Sequence, residues 1–167
     1  QLPFFEIKSK LRIGLRDAKL DELSVLFEQA GRPQLMSGSA SVAFADEVVV
    51  VDSGSSDGTA EVAARYGARV VKKEWLGFGR QKQFAVAQAA HDWVLCLDAD
   101  ERVSPELAAS LVRALEAPST GAYRMARRNR FLGRWLRHGE GYPDWSLRLF
   151  DRSFAVTRWL QVVAIAI

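Results

Sequence analysis

The chain has 167 residues, 49% hydrophobic and 26% charged, with a formal net charge of +3. That balance is ordinary for a soluble globular protein, and the length suits one domain with a proper core rather than two. The lone cysteine, Cys96, excludes a disulfide framework and fits a reducing compartment. No signal-peptide pattern is visible, and no apolar run reaches the roughly 20 residues that cross a bilayer.

In chain order, residues 1–40 carry the weakest signals. Residues 4–7 suit a short strand. Residues 19–30 predict a helix, because Leu20, Leu23, Leu26 and Phe27 recur at helical spacing behind Asp21 and Glu22. Gly31, Arg32 and Pro33 stop it, and residues 37–39 read as loop. From residue 47 the pattern sharpens. Four valines lead to Asp52, a β-branched run of the kind buried on both faces of a parallel sheet. A small polar loop over residues 53–59 then opens a helix over 60–66, with Asp57 or Thr59 to cap its start and Gly67 to end it. The loop lacks the glycines of a dinucleotide fold and the lysine of a P-loop.

Residues 68–71 predict a third strand, and residues 79–90 a helix with Phe84, Ala87 and Ala90 on one face. The apolar run over residues 93–97 ends in Asp98, Asp100 and Glu101. Ser104, Pro105 and Glu106 then start a helix whose apolar stripe is Leu107, Leu111 and Leu115. The succession is β-α-β-α-β-α, the order of a three-layer α/β sheet. Residues 121–127 suit another strand, residues 139–145 a loop, residues 146–150 a strand, and the apolar tail over 159–167 an added edge strand.

In such sheets, ligands collect at the carboxyl ends of the strands. Asp52, Asp98 and Asp100 are therefore expected on one shared rim. Alternation along an extended chain would turn Asp98 and Asp100 the same way around Ala99. Two converging carboxylates suit a hard cation, and Mg²⁺ or Mn²⁺ held by them with substrate phosphates is the common solution. Taken alone, the pair equally suits a strand end that opens a helix. An EF-hand is excluded, since the glycine and the last glutamate of that loop are missing. Arg124, Arg127, Arg128, Arg130, Arg134 and Arg137, interleaved with Phe131 and Trp135, form a basic stretch that invites phosphates. Those phosphates could belong to a nucleotide, a lipid head group or nucleic acid. Glu140 and Asp144 lie in the following loop, which suits an acceptor site or a solvated turn.

Residues 45–59, then 97–102, then 141–144 with 147–150, resemble family 2 glycosyltransferases of the GT-A fold, nearest the bacterial lipopolysaccharide-core glucosyltransferases. The resemblance covers residues 41–152 and implies a Rossmann-like, mostly parallel GT-A core there, between an atypical segment (1–40) and an atypical apolar tail (153–167). It further implies that Asp52, Ser53, Asp57 and Asp98 contact the nucleotide sugar. Asp98 and Asp100 would hold Mg²⁺ or Mn²⁺ on the diphosphate, and Asp144 would activate the acceptor. Arg148 and the upstream arginines would face phosphate.

The implied reaction is inverting transfer of a hexose from a nucleotide sugar, UDP-glucose, to a lipopolysaccharide-core or similar acceptor, either a saccharide or a lipid-linked one. Its setting would be cytoplasmic, with a peripheral contact at the inner face of the plasma membrane and no nucleic-acid partner. Two departures stand out. The first strand with its Asn-Glu pair is expected to be missing or replaced, and no His-Glu pair follows Arg152. A truncated, inactive remnant that at most binds nucleotide is therefore the alternative. A nucleotidyltransferase is disfavoured by the lack of a glycine-rich, basic opening loop.

Overall fold

A computed structural model describes residues 23–28, 41–98, 100–132, 134–139 and 142–153 of the chain. The valine run forms β2 (Glu47–Asp52), and its side chains divide between two cores by the two-residue alternation of a strand. Val50 joins Val62 and Ala63 of α1 (Thr59–Arg65) and Leu107, Leu111 and Leu115 of α3 (Pro105–Glu116). Val49 and Val51 join Ala85 of α2 (Phe78–Gln88) on the other side. β4 (Trp93–Asp98) divides in the same way, with Leu95 and Leu97 toward α1 and α3 and Val94 toward α2. The expected three layers follow, with a sheet sandwiched between helices.

The helix expected over residues 19–30 is a strand in the structure. β1 (Leu23–Glu28) lies in the middle of the sheet, parallel to β2 on one side and β4 on the other. Six residues of Leu, Val and Phe character are too few for periodicity to separate helix from strand. Two flanking apolar strands offer both edges of this segment a backbone partner, and tertiary pairing overrides local propensity. The first strand, expected to be missing, is therefore present within the segment set apart as 1–40. The expected strand over 4–7, the loop at 37–39, Glu140 and the tail over 159–167 lie outside the described residues.

Beyond β3 (Arg69–Lys72) the six-stranded order is β3-β2-β1-β4-β8-β5, where β5 is Ala122–Arg127 and β8 is Asp144–Asp151. β8 runs antiparallel to both of its neighbours, and the other strands follow one direction. The chain builds outward from β1 through β2 and β3, then returns to the other side of β1 with β4. That reversal falls between β1 and β4, and α/β sheets bind ligands at the carboxyl ends of the strands at such a switch point.

Two helix ends behave as expected. Ser104 caps α3, its Oγ accepting the Leu107 N–H at 3.2 Å. Gly67, at φ 82°, ends α1, with Gly67 N–H donating to Ala64 O and Ala68 N–H to Ala63 O. The buried face of α2 is not the one marked by Phe84, Ala87 and Ala90. Gln81 and Ala85 are buried, whereas Ala87 and Ala90 are exposed and Phe84 is partly covered. The central position of β1 predicts that its amides are protected from hydrogen exchange as strongly as those of β2 and β4. Exchange at the rate of an edge strand or fraying helix would show that it does not pair there.

Candidate active site

The chain turns sharply at the end of β4, and Glu101 N–H donates to Asp98 O at 2.9 Å. The glutamate side chain reaches back, its Oε2 accepting the Asp98 N–H at 2.9 Å. The turn is thus closed from both ends. Asp98 and Asp100 are consequently not held on one side of an extended strand, as alternation had suggested. Asp98 is half-buried among cations, while Asp100 is exposed, and the Asp100 carboxylate has no partner among the described residues.

Arg148, 5% exposed, reaches this turn from β8. Its Nη2 donates to Asp98 Oδ2 at 2.8 Å and to Glu101 Oε1 at 2.6 Å. Resemblance had turned Arg148 toward phosphate; instead it is packed inside against two carboxylates. The reason is strand direction. β8 is antiparallel to β4, so its polar residue at the rim is aimed at the end of β4 rather than at solvent. Burial alone would push the Asp98 carboxyl up, but the hydrogen bond and charge of Arg148, with the charge of Lys82, hold it below its usual range. Burial dominates at Glu101, whose carboxyl is pushed up despite Arg148.

Two more cations face Asp98. Lys82 Nζ of α2 lies 3.4 Å from Oδ1, and Arg127 Nη1 of β5 lies 3.7 Å from Oδ2. The same Arg127 grips Asp144, with Nε at 2.9 Å and Nη2 at 2.6 Å from Oδ2, and Asn129 Nδ2 adds a third bond at 3.1 Å. The Arg127 hydrogen bond holds the Asp144 carboxyl below its ordinary range. All three donors meet Oδ2, and Oδ1 takes no hydrogen bond from a described residue. Asp144 stands at the first position of β8, opposite Arg127, rather than in the preceding loop.

Asp52 shares the rim but not this cluster. β1 separates β2 from β4, so the two strand ends stand about two strand spacings apart, roughly 9–10 Å. Asp52 is 3% exposed, and both its oxygens accept the Ser55 N–H, at 3.2 and 3.3 Å. Asp57 Oδ1 accepts from Thr59 N and Oγ1, at 3.0 and 2.5 Å. Ser53 Oγ accepts from Nε2 of the fully buried Gln81 at 3.1 Å, and Gln81 Oε1 accepts the Leu76 N–H at 3.3 Å. Gln81 thereby staples the loops after β2 and β3. A polar residue on the inner face of a helix was the available signal for it, and apolar periodicity passes over such a residue.

Among the described residues no group of three or more His, Cys, Asp or Glu side chains could hold a metal. A divalent ion nevertheless fits as a shared ligand. Mg²⁺ and Mn²⁺ need only one or two carboxylates when phosphates supply further oxygens, and Asp100 offers an open one. A metal ion at Asp98 would compete with Arg148, Lys82 and Arg127 for its two oxygens.

The profile of the family described as Glycosyl transferase family 2 matches residues 42–163. The chain belongs to that family. It is 34% identical over 125 residues to the lipopolysaccharide core biosynthesis glycosyltransferase LpsC of Rhizobium meliloti, covering 63% of this chain and 46% of that protein. An uncharacterized glycosyltransferase of Rickettsia conorii is 55% identical over 62 residues, covering 37% of this chain and 22% of the relative. The chain thus spans less than half the length of these curated relatives. Among solved structures, the mannosyltransferase PcManGT of Pyrobaculum calidifontis, in complex with GDP-Man and Mn²⁺, superposes with TM-score 0.51 at 25% identity, over 64% of this chain and 37% of that one. S. aureus TarS superposes with TM-score 0.58 at 17% identity, over 81% and 48%, a likeness of fold. These are GT-A glycosyltransferase structures, and the α/β architecture of this chain matches theirs.

Two outcomes follow for the family's rim. Glu101→Ala removes one of the two carboxylates that hold buried Arg148 and leaves Asp98 in place, so it should lower unfolding free energy by about 1–3 kcal/mol. Arg148→Met added to Glu101→Ala should recover part of that loss in the same urea titration, and full additivity of the two single changes would show that the pair is not coupled. Asp144 should titrate below the ordinary Asp value of 3.8 in the native protein. Its folded pKa is depressed, so its ion pair stabilises the fold above the unfolded pKa and is lost as pH falls through the folded one. In Arg127→Met its midpoint, followed by carboxyl NMR, should move upward.

Proposed function

We propose that this family 2 domain carries out inverting, metal-dependent transfer of a hexose from a nucleotide sugar, UDP-glucose, to a lipopolysaccharide-core or similar acceptor, at the cytoplasmic face of the plasma membrane. The observation that carries the reading is the charged rim at the end of β4. There an open carboxylate, Asp100, stands beside a cluster of three cations around Asp98. A diphosphate with a divalent ion supplies the charges such a rim lacks. The LpsC relative supports the acceptor class, and the GDP-Man and Mn²⁺ complex of the mannosyltransferase supports a nucleotide sugar with a metal.

In this reading Asp52, Ser53 and Asp57 form the nucleoside end of the site, two strands away from the diphosphate end. That separation suits an elongated donor. Asp98 and Asp100 would hold Mg²⁺ or Mn²⁺, which when bound stabilises the leaving diphosphate as a Lewis acid. Lys82 and Arg127 lie within reach of the same phosphates. Asp144 accepts the proton of the attacking hydroxyl at Oδ1, the oxygen that Arg127 and Asn129 leave open.

An inactive remnant that binds nucleotide is the second reading, favoured by the grip of Arg127 on Asp144, which makes the carboxylate a weaker base. The presence of β1 answers half of one argument for it, since the strand is there but its Asn-Glu pair is not. Titration calorimetry with UDP separates the two readings. Binding should tighten at least tenfold with Mn²⁺, and Asp100→Asn should abolish that gain with the melting temperature nearly unchanged. Turnover of UDP-glucose supports the enzyme, whereas metal-dependent binding without turnover of UDP-glucose or GDP-mannose supports the remnant.

A further inference from the structure

A two-stranded hairpin, β6 (Arg130–Phe131) and β7 (Arg134–Trp135), stands apart from the main sheet, and no further described strand joins it. Its neck is closed by Leu136 N–H donating to Asn129 O at 2.9 Å. Asn129 also binds Asp144, so the hairpin rises from the rim beside that carboxylate. Its apolar end is bare. Phe131 is 64% exposed and Leu132 is 86% exposed, with Leu132 at φ 47°, a backbone conformation that disfavours a side chain.

Arginines flank this tip. Arg134 and Arg137 are exposed and have no carboxylate partner among the described residues. Arg128 lies over the Trp135 ring, its Cζ 4.9 Å from the centroid. No Asp or Glu occurs between residues 128 and 139. A free phosphate or a saccharide would use the arginines and leave Leu132 in water. An apolar end framed by cations matches the boundary between head groups and acyl chains of an anionic bilayer.

We infer that the β6–β7 hairpin is a membrane-docking element that seats Phe131 and Leu132 in an anionic lipid surface and holds Asp144 at that surface. It deepens the transferase reading only in its last clause, by matching a lipid-anchored acceptor; docking itself is independent of sugar transfer.

Co-sedimentation with vesicles tests it, using phosphatidylcholine alone or with phosphatidylglycerol and no nucleotide or sugar, so that its failure leaves the donor reading standing. The full chain should sediment with the anionic vesicles, and binding should fall steeply as NaCl rises. Phe131→Ala with Leu132→Ala should weaken partition at least tenfold. Arg134→Glu and Arg137→Glu should each cost about fivefold or more, through the anionic component only. All four positions are exposed, so melting temperatures should hold, and the salt series on the unmodified protein needs no variant. Equal binding to both vesicles, no binding, or binding untouched by the tip truncations would each overturn the proposal.

Discussion

One buried guanidinium ties the two halves of this sheet together at its working edge. Arg148 belongs to the antiparallel strand β8, while the carboxylates it holds belong to the end of the parallel strand β4 and the turn after it. Buried ion pairs contribute less to stability than their attraction suggests, because both charges lose their water. Their larger effect is on geometry. With Arg148 paired, Glu101 can fold back onto the Asp98 amide, and the turn that presents Asp100 has one shape. The Nε of Arg148 has no hydrogen-bond partner among the described residues. The arginine is therefore held by its two carboxylates rather than by a fully satisfied shell.

That arrangement sets the charge logic of the rim. Asp98 meets Arg148, Lys82 and Arg127, and Glu101 and Asp144 share two of those cations, so the rim is a mixed-charge network rather than a preformed cation cage. In the proposed reading, a metal ion would reach this rim together with a diphosphate, whose charge offsets the repulsion from the three cations. Arg127 extends the logic sideways, because it contacts Asp98, Glu101 and Asp144 at once. Any anion that draws it toward the diphosphate end loosens its hold on Asp144 at the other.

Much of this rim was open to reading from the sequence, and some was not. The strands ending in Asp52 and Asp98, the Ser104 cap and the Gly67 terminus depend on neighbours within a few positions, and all appear in the structure where local chemistry puts them. Strand β1 escaped because its six residues satisfy two periodicities, and only its partners on either side decide between them. Gln81 escaped because it is polar on an inner face. Arg127 and Arg148 were visible as basic residues, but their partners lie 17, 47 and 50 positions away.

The amino-acid sequence by itself determined the layered α/β class and the acids that close the inner strands, since alternation, capping and chain-breaking residues act over a few positions. It also carried the family's motifs in their order. Only the tertiary structure decided which acids meet which cations. Pairing across β4 and β8 depends on strand direction and register, and these follow from how the whole sheet packs. Asp98 and Asp100, two residues apart, therefore end in unlike surroundings, one clasped by arginine and the other facing water.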